Sequence, residues 1–215
     1  AVTTSRGVVC STDMTRIAAA NYSTGKILVS SNSGASFTSV SIPNGAYVYD
    51  IASSSDMKHI ALASWSPSQG IYISHDYGAT FTRTTPSGSS GYYLSVGMSG
   101  DGNTILAPNY SSPQTVYVST DSGSTWSLQT TSPTTASWLA SGVSGDGSTL
   151  SIGAYSAGNI LVARTSGIPA GLTPTFNSAT KNASGYSVQV NNYDGTNYTW
   201  SVTTTAGSAS INGTG

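Results

Sequence analysis

Apolar residues in this chain fall in short runs, and none extends into a helical stripe. Residues 50–54, 59–64, 70–74 and 80–84 form one such set, separated by turns of Gly, Asp, Asn and Ser. Short apolar runs bounded by turn formers predict strands. The set recurs. "STDMTRIAAA", "SSDMKHIALA", "SGDGNTILAP" and "SGDGSTLSIG" align on Asp13, Asp56, Asp101 and Asp146, at spacings of 43, 45 and 45 residues. A second turn aligns "SSNSGASF" (30–37), "SHDYGATF" (74–81) and "STDSGSTW" (119–126). Four strands, A to D, therefore make up each unit.

A fixed period of this size indicates a repeat architecture. One unit cannot bury both faces of its sheet, so consecutive units must stack. Four antiparallel strands in about 45 residues is the make-up of a β-propeller blade. The expected fold is all-β, with about four such blades over residues 1–166.

The turn between strands C and D resembles the Asp-box, the bacterial neuraminidase repeat of sialidases, sortilin-type receptors and some glucanases. That resemblance implies a structural turn. Asn32, Asp76 and Asp121 would accept bonds from turn amides, and Gly34, Gly78 and Gly123 would take the tight conformation. Phe37, Phe81 and Trp126 would pack between strands. The fourth unit departs from the pattern, since "ARTSGIPA" has neither the Asp nor the aromatic. That unit is expected to lack a normal D strand. Residues 167–215 lose the period and resemble the start of an immunoglobulin-like or fibronectin-like surface module. Such sandwiches need about 100 residues, so an incomplete module is expected there. The chain would begin inside a D–A loop and end inside a sandwich, so it is expected to be either a cut or processed piece of something longer, the favoured alternative, or a homo-oligomer or polymer completed by strand complementation.

Composition narrows the function. Charged residues make up 7% of the chain and the net charge is −1, against about 25% charged in an ordinary soluble domain. No basic stripe is present for nucleic acid, and no apolar run is long enough for a membrane helix. Few charges and many hydroxyls point to a secreted or cell-surface protein. Cys10 is the single cysteine; within "GVVCS" it reads as a buried, inert thiol.

Candidate chemistry is sparse. Glycosidases use two carboxyl groups, yet glutamate is absent and eight aspartates are the whole supply. Asp13, Asp56, Asp101 and Asp146 belong to the A–B turns, Asp76 and Asp121 to the boxes, and Asp194 to a hairpin turn. Asp50 alone stands outside this scheme. Arg6, Arg16, Arg83 and Arg164 occupy four different positions in their units, unlike an arginine triad for a sialic-acid carboxylate. His59 and His75 lie in different strands and read as exposed turn histidines. No metal site and no cofactor is expected, and no catalysis.

A–B turns and boxes share one end of the strands, so B–C and D–A loops share the other. The B–C loops each carry an aromatic followed by Ser: Tyr22, Trp65, Tyr110 and Tyr155. The D–A loops add Tyr47, Tyr49, Tyr92, Tyr93 and Trp138. An uncharged face of Tyr, Trp, Ser and Asn suits sugar rings or a protein partner, while recurrence equally suits packing between blades. The expected function is a non-catalytic extracellular binding or scaffold module of a bacterial surface protein, contacting glycan or protein. Two alternatives stay open: a piece of a carbohydrate-active enzyme whose catalytic residues lie elsewhere, and a structural subunit of a filament or surface layer.

Overall fold

The computed structural model describes residues 5–65, 70–88, 91–110, 115–129, 138–154 and 160–164, and the backbone of short strands between 175 and 210. Four antiparallel sheets follow one another along the chain. The first holds β1 (Ser5–Cys10), β2 (Ile17–Asn21), β3 (Lys26–Ser30) and β4 (Thr38–Ser41). The second holds β5 (Val48–Ser53), β6 (Ile60–Ser64), β7 (Gly70–Ser74) and β8 (Thr82–Thr84), and the third β9 (Gly97–Met98), β10 (Ile105–Asn109), β11 (Thr115–Ser119) and β12 (Ser127–Gln129). Each sheet keeps its strands in chain order, the signature of the up-and-down propeller blade.

The fourth sheet begins with β13 (Trp138–Val143), β14 (Thr149–Ala154) and β15 (Ile160–Arg164). Four short strands follow: β16 (Thr175–Phe176), β17 (Thr180–Asn182), β18 (Gly185–Ser187) and β19 (Val190–Asn191). They form two pairs, β16 with β19 and β17 with β18. The last two strands, β20 (Ser201–Thr204) and β21 (Gly207–Ser210), join the fourth sheet beyond β15. Ile160, Leu161 and Val162 pair with Thr203, Val202 and Ser201. The fourth unit thus has a strand from far along the chain in the place of a normal D strand. A distant segment occupies that edge, which no local motif could announce.

The sheets stack face to face, and the core lies in three layers between them. Ala18, Ala20 and Ile27 of the first sheet meet Ile51, Ile60, Leu62 and Tyr72 of the second. Ala61, Ala63, Ile71 and Ile73 of the second meet Met98, Ile105, Ala107 and Tyr117 of the third. Leu106, Val116 and Val118 of the third meet Leu150, Ile152 and Leu161 of the fourth. Successive residues of one strand thus serve opposite layers, as the period of two requires. At about 1.5–3 kcal/mol for each large side chain fully buried, these layers supply the main stabilising term.

Both turns at one end of each sheet are built around a serine and an aspartate two residues later. In the A–B turns, Ser11, Ser54, Ser99 and Ser144 donate through Oγ to Asp13, Asp56, Asp101 and Asp146, at 2.6, 2.7, 2.6 and 2.5 Å. The same hydroxyls accept the amides of Arg16, His59, Thr104 and Thr149. The next position along needs a left-handed backbone, with φ of 78° and 73° at Gly102 and Gly147. Met14 and Met57 adopt it at 59° and 60°, a costly conformation for a side chain. At Met57 complete burial offsets that cost.

The C–D turns repeat the device. Asp121 accepts from Ser119 Oγ at 2.8 Å, from the Thr125 amide at 2.8 Å and from Thr125 Oγ1 at 2.6 Å. Asp76 makes the equivalent bonds to Ser74 and Thr80. Asn32 accepts from Ser30 and the Ser36 amide, and its Nδ2 donates to Ser36 Oγ. Ser30, Ser74 and Ser119 are buried, and each accepts the amide of Gly34, Gly78 or Gly123 at 2.8–2.9 Å. These glycines lie at φ of 82–88°. A Cβ on Gly123 would fall 2.8 Å from Ile73 in the preceding sheet, so the glycine also permits close stacking.

Neighbouring sheets are bonded through the A–B turns. The amides of Thr12, Ser55 and Gly100 each donate to the carbonyl of the equivalent residue one sheet on, namely Ser55, Gly100 and Gly145, all at 2.8 Å. Two sequence expectations are corrected at the first sheet. Cys10 is exposed rather than buried, because among the described residues no sheet lies over the outward face of β1. Phe37 is exposed for the same reason. Phe81 is buried, and Trp126 is part-buried with its Nε1 donating to Thr84 Oγ1 at 3.0 Å across the sheet gap.

Acid should unfold the protein through these turns. Hydrogen bonds from Ser11 and Thr15 hold the Asp13 carboxyl at about 2, and those from Ser144 and Ser148 do the same at Asp146. Burial works against the shift at Asp76, Asp101 and Asp121, yet hydrogen bonds hold all three below the ordinary value. A carboxylate with a depressed folded value stabilises above its unfolded value of 3.8 and loses that contribution as pH falls toward about 2. Melting temperature should therefore drop steeply over that window. Asp121→Ala should cost about 1–2 kcal/mol in denaturant unfolding, and Asp121→Asn less, as Asn32 fills the same turn.

Candidate functional site

The far end of the sheets is built differently. Tyr22 follows β2, Trp65 follows β6 and Tyr110 follows β10, while Tyr47, Tyr49 and Tyr92 lie where the chain enters the next sheet. These rings form one continuous array. Tyr47 and Tyr22 have centroids 5.8 Å apart, and Tyr22 meets Tyr49 edge-on at 5.0 Å. Tyr49 stacks on Trp65 at 5.4 Å with 27° between planes. Trp65 in turn contacts Tyr92 at 5.1 Å and Tyr110 at 5.8 Å. Tyr22 and Trp65 thus meet Tyr49 and Tyr92 at the entry of the following sheet, while Tyr110 reaches back to Trp65, so the array crosses three sheets.

Its polar groups gather at one end. The Tyr22 and Tyr49 hydroxyls lie 3.0 Å apart. The Arg6 guanidinium carbon is 4.7 Å from the Tyr22 ring centroid and 4.9 Å from that of Tyr49, within cation–π range. The bond to Tyr22 holds the Tyr49 hydroxyl above its ordinary value, with burial adding to the shift. Tyr47 is exposed, and Tyr22, Tyr49, Trp65, Tyr92 and Tyr110 are half-buried, so each keeps part of its ring in solvent. Packing and presentation are served by the same side chains.

Two aromatics assigned to this face from the sequence do not reach it. Tyr93 and Trp138 are fully buried, Tyr93 between the second and third sheets and Trp138 between the third and fourth. They share one slot with Val48. Val48 pairs with Ser64, Tyr93 with Asn109 and Trp138 with Ala154, the same rung in three successive sheets. Their differing identities hid the equivalence. Tyr155 lies outside the described residues. Conversely, Arg6 reads in the sequence as one of four scattered arginines, and its neighbourhood to Tyr22 arises only from sheet pairing.

Asp50, the aspartate outside the repeat, is spent on structure. Its Oδ2 accepts from Ser95 Oγ at 2.9 Å and from the Val96 amide at 3.0 Å, and its Oδ1 from the Ile51 amide at 2.9 Å. Ser95 Oγ also lies 2.8 Å from Ser141 Oγ. The group ties the entry strands of three sheets together. Burial pushes its carboxyl up, against the hydrogen bonds from Val96, Ser95 and Ile51. The six turn carboxylates stand at the opposite end of the strands from the aromatic array. Among the described residues no group of three His, Cys, Asp or Glu side chains has metal-binding proximity.

The histidines are not independent turn residues. His59 Nδ1 and His75 Nδ1 lie 2.9 Å apart, so one ring donates and the other accepts. Burial, then the His75 charge, lowers the His59 value below 6.5.

No known family profile matches the chain, and no curated protein does. Solved structures do. Residues amounting to 97% of the chain align with 69% of a chain in the complex of KlAtg21 with the coiled-coil of AgAtg16, at 13% identity and a TM-score of 0.58. The Niastella koreensis GH74 enzyme aligns over 93% of this chain and 38% of its own, at 15% identity and 0.59. The WD40 repeats of RRP9 align over 74% and 47%, at 14% and 0.60. At such identities the likeness speaks for the fold, which is that of β-propeller blades in tandem. The chain spans about half the length of the RRP9 WD40-repeat chain and less of the GH74 enzyme's.

The histidine pair makes stability fall with acid. With a depressed folded value, His59 stays neutral while the unfolded chain takes up a proton, so stability is lost as pH drops below 6.5. Asp50, with a raised value, acts in the opposite sense. The difference between parent and His59→Gln isolates the pair. The parent's melting temperature should decline more steeply between about pH 7 and pH 5 than the variant's.

Proposed function

We propose that this chain is a non-catalytic binding module of a secreted or surface-attached bacterial protein, and that it holds uncharged glycan chains along the aromatic array. The observation that carries the reading is the unbroken series Tyr47, Tyr22, Tyr49, Trp65, Tyr92 and Tyr110, each ring part-exposed. Ring faces carry negative charge, and the C–H faces of a pyranose carry positive charge, so the two stack without any ionic group. An extended row fits a linear saccharide better than a compact ligand. The Tyr22 and Tyr49 hydroxyls and Arg6 offer hydrogen bonds at one end.

The same reading assigns the chain no hydrolytic step of its own. A glycosidase needs two carboxyl groups flanking the scissile bond. Asp50 is closed off by three donors, and the turn aspartates are far along the strands from the rings.

Calorimetric titration with a panel of neutral oligosaccharides tests this. Trp65, which touches three other rings, should dominate: Trp65→Ala is expected to weaken binding by at least about tenfold, or 1.4 kcal/mol, in a protein that melts lower but is still folded at the assay temperature. Binding of proteins but no saccharide would move the ligand to another class. Unfolding of Trp65→Ala with affinity intact in Tyr47→Ala and Tyr92→Ala would make the array a packing device. In parallel, release of a chromogenic leaving group from sialosides or glucosides, lost in Asp50→Asn, would overturn the non-catalytic reading.

A further inference from the structure

Both histidines of this chain stand on one rung of the second sheet. Ile60 of β6 pairs with Ser74 of β7, so His59 and His75 are the next residues outward on two adjacent strands, where opposite side chains share a face. Residues that the sequence assigns to separate strands are thereby brought to a single point. Nδ1 of His59 lies 2.9 Å from Nδ1 of His75, and the rings meet at 76° with centroids 5.1 Å apart. The repeat shows that the fold itself does not demand imidazole there. The same rung carries Arg16 and Ser31 in the first sheet, Thr104 and Thr120 in the third, and Thr149 and Arg164 in the fourth.

The pair is also held in place. The Cβ, Cγ and Cδ2 atoms of His59 lie against Gly102 in the A–B turn of the third sheet, where a Cβ would fall 2.7 Å from each of them. That edge of the ring is closed by backbone, and the Nδ1 edge is the one turned to His75. Rings positioned before a ligand arrives lose less freedom on binding it. His75 is exposed and His59 half-buried, so the contact is accessible from solvent.

Two nitrogens at this separation suit one coordination geometry in particular. Cis ligands of a square-planar ion at bond lengths of about 2 Å stand roughly 2.8 Å apart, whereas tetrahedral zinc holds its nitrogens about 3.3 Å apart. Copper(II) also heads the affinity order of the divalent first-row metals at imidazole sites. We propose that His59 and His75 chelate a copper(II) ion through their Nδ1 atoms, in a tetragonal site completed by water. The site is independent of the glycan reading, since it lies at the turn end of the strands, opposite the aromatic array.

In the neutral pair one Nδ1 carries a proton and the other accepts it. When the ion takes both Nδ1 lone pairs, that proton leaves Nδ1 and the ring is protonated at Nε2 instead. A neutral pair therefore binds with no net release, while each charged ring must give up a proton. Burial, then the charge of His75, keeps His59 below 6.5, with Lys58 acting in the same sense and Asp56 and Asp101 against it. The two aspartates are engaged in their own turns. Asp56 accepts from Ser54 Oγ and the Lys58 amide, and Asp101 from Ser99 Oγ and the Asn103 amide. They supply negative charge rather than ligands.

Titration of the full chain carrying Cys10→Ser with copper(II) chloride tests the site. That substitution removes the exposed thiol, a soft ligand that favours copper(I). One ion per chain should bind at about pH 7.5, with an axial paramagnetic resonance spectrum whose superhyperfine splitting shows two imidazole nitrogens. His59→Gln and His75→Gln should each weaken binding at least about tenfold, and His75→Gln, at an exposed position, should fold as the parent does. Lowering the pH to about 5 should release the ion. Zinc(II) should bind at least about tenfold more weakly than copper(II). Failure of copper to bind, a spectrum with a single nitrogen, or binding undiminished in both variants would overturn the proposal. Zinc bound more tightly than copper would overturn the square-planar assignment.

Discussion

A four-stranded sheet with apolar residues on both faces cannot persist alone in water, and every other property of this molecule follows from that constraint. Because side chains alternate along a strand, one sheet sends Ala61 and Ala63 to the layer on one side and Ile60 and Leu62 to the layer on the other. Stacking is therefore obligatory. It also has to be close, which explains why small residues recur on one face and why Gly78 and Gly123 sit against side chains of the sheet before them.

With the layers providing most of the stabilisation, the two ends of the strands are free to differ. At one end, serine and aspartate satisfy the turn amides internally, and a column of backbone bonds runs from sheet to sheet. That end presents few unsatisfied groups. At the other end the loops hold each other by ring contacts, and rings packed edge to edge still leave faces in solvent. The division of labour is physical: hydrogen bonds within a turn saturate, whereas aromatic contacts do not.

Much of this could be read from the chain alone. The period, the four strands per repeat and the identity of the turns followed from Asp13, Asp56, Asp101 and Asp146 and from the three boxes. The serine two residues before each aspartate was visible, but its double role as donor to the carboxylate and acceptor of a turn amide needed coordinates. Tyr93 and Trp138 read in the sequence as aromatics of the D–A loops; strand register puts both in the slot of Val48, where any large apolar side chain serves. The exposure of Cys10 and Phe37 could not be inferred from their repeats, because their surroundings depend on whether a sheet precedes them. The strand that completes the fourth sheet comes from residues 201–204, about forty positions beyond β15, and long-range pairing of that kind leaves no local signature.

The central claim is that buried serine hydroxyls fix the turns as firmly as the strands are fixed by their ladders. Native-state hydrogen exchange addresses it directly at the amides of Gly34, Gly78 and Gly123, each of which donates to a serine side chain and to no backbone carbonyl of a ladder. The account predicts protection close to that of the strand amides of Ile73 and Val118, lost only in the same cooperative opening that frees the sheets. Rapid exchange of these three glycine amides from a folded protein, with the strands still protected, would contradict it.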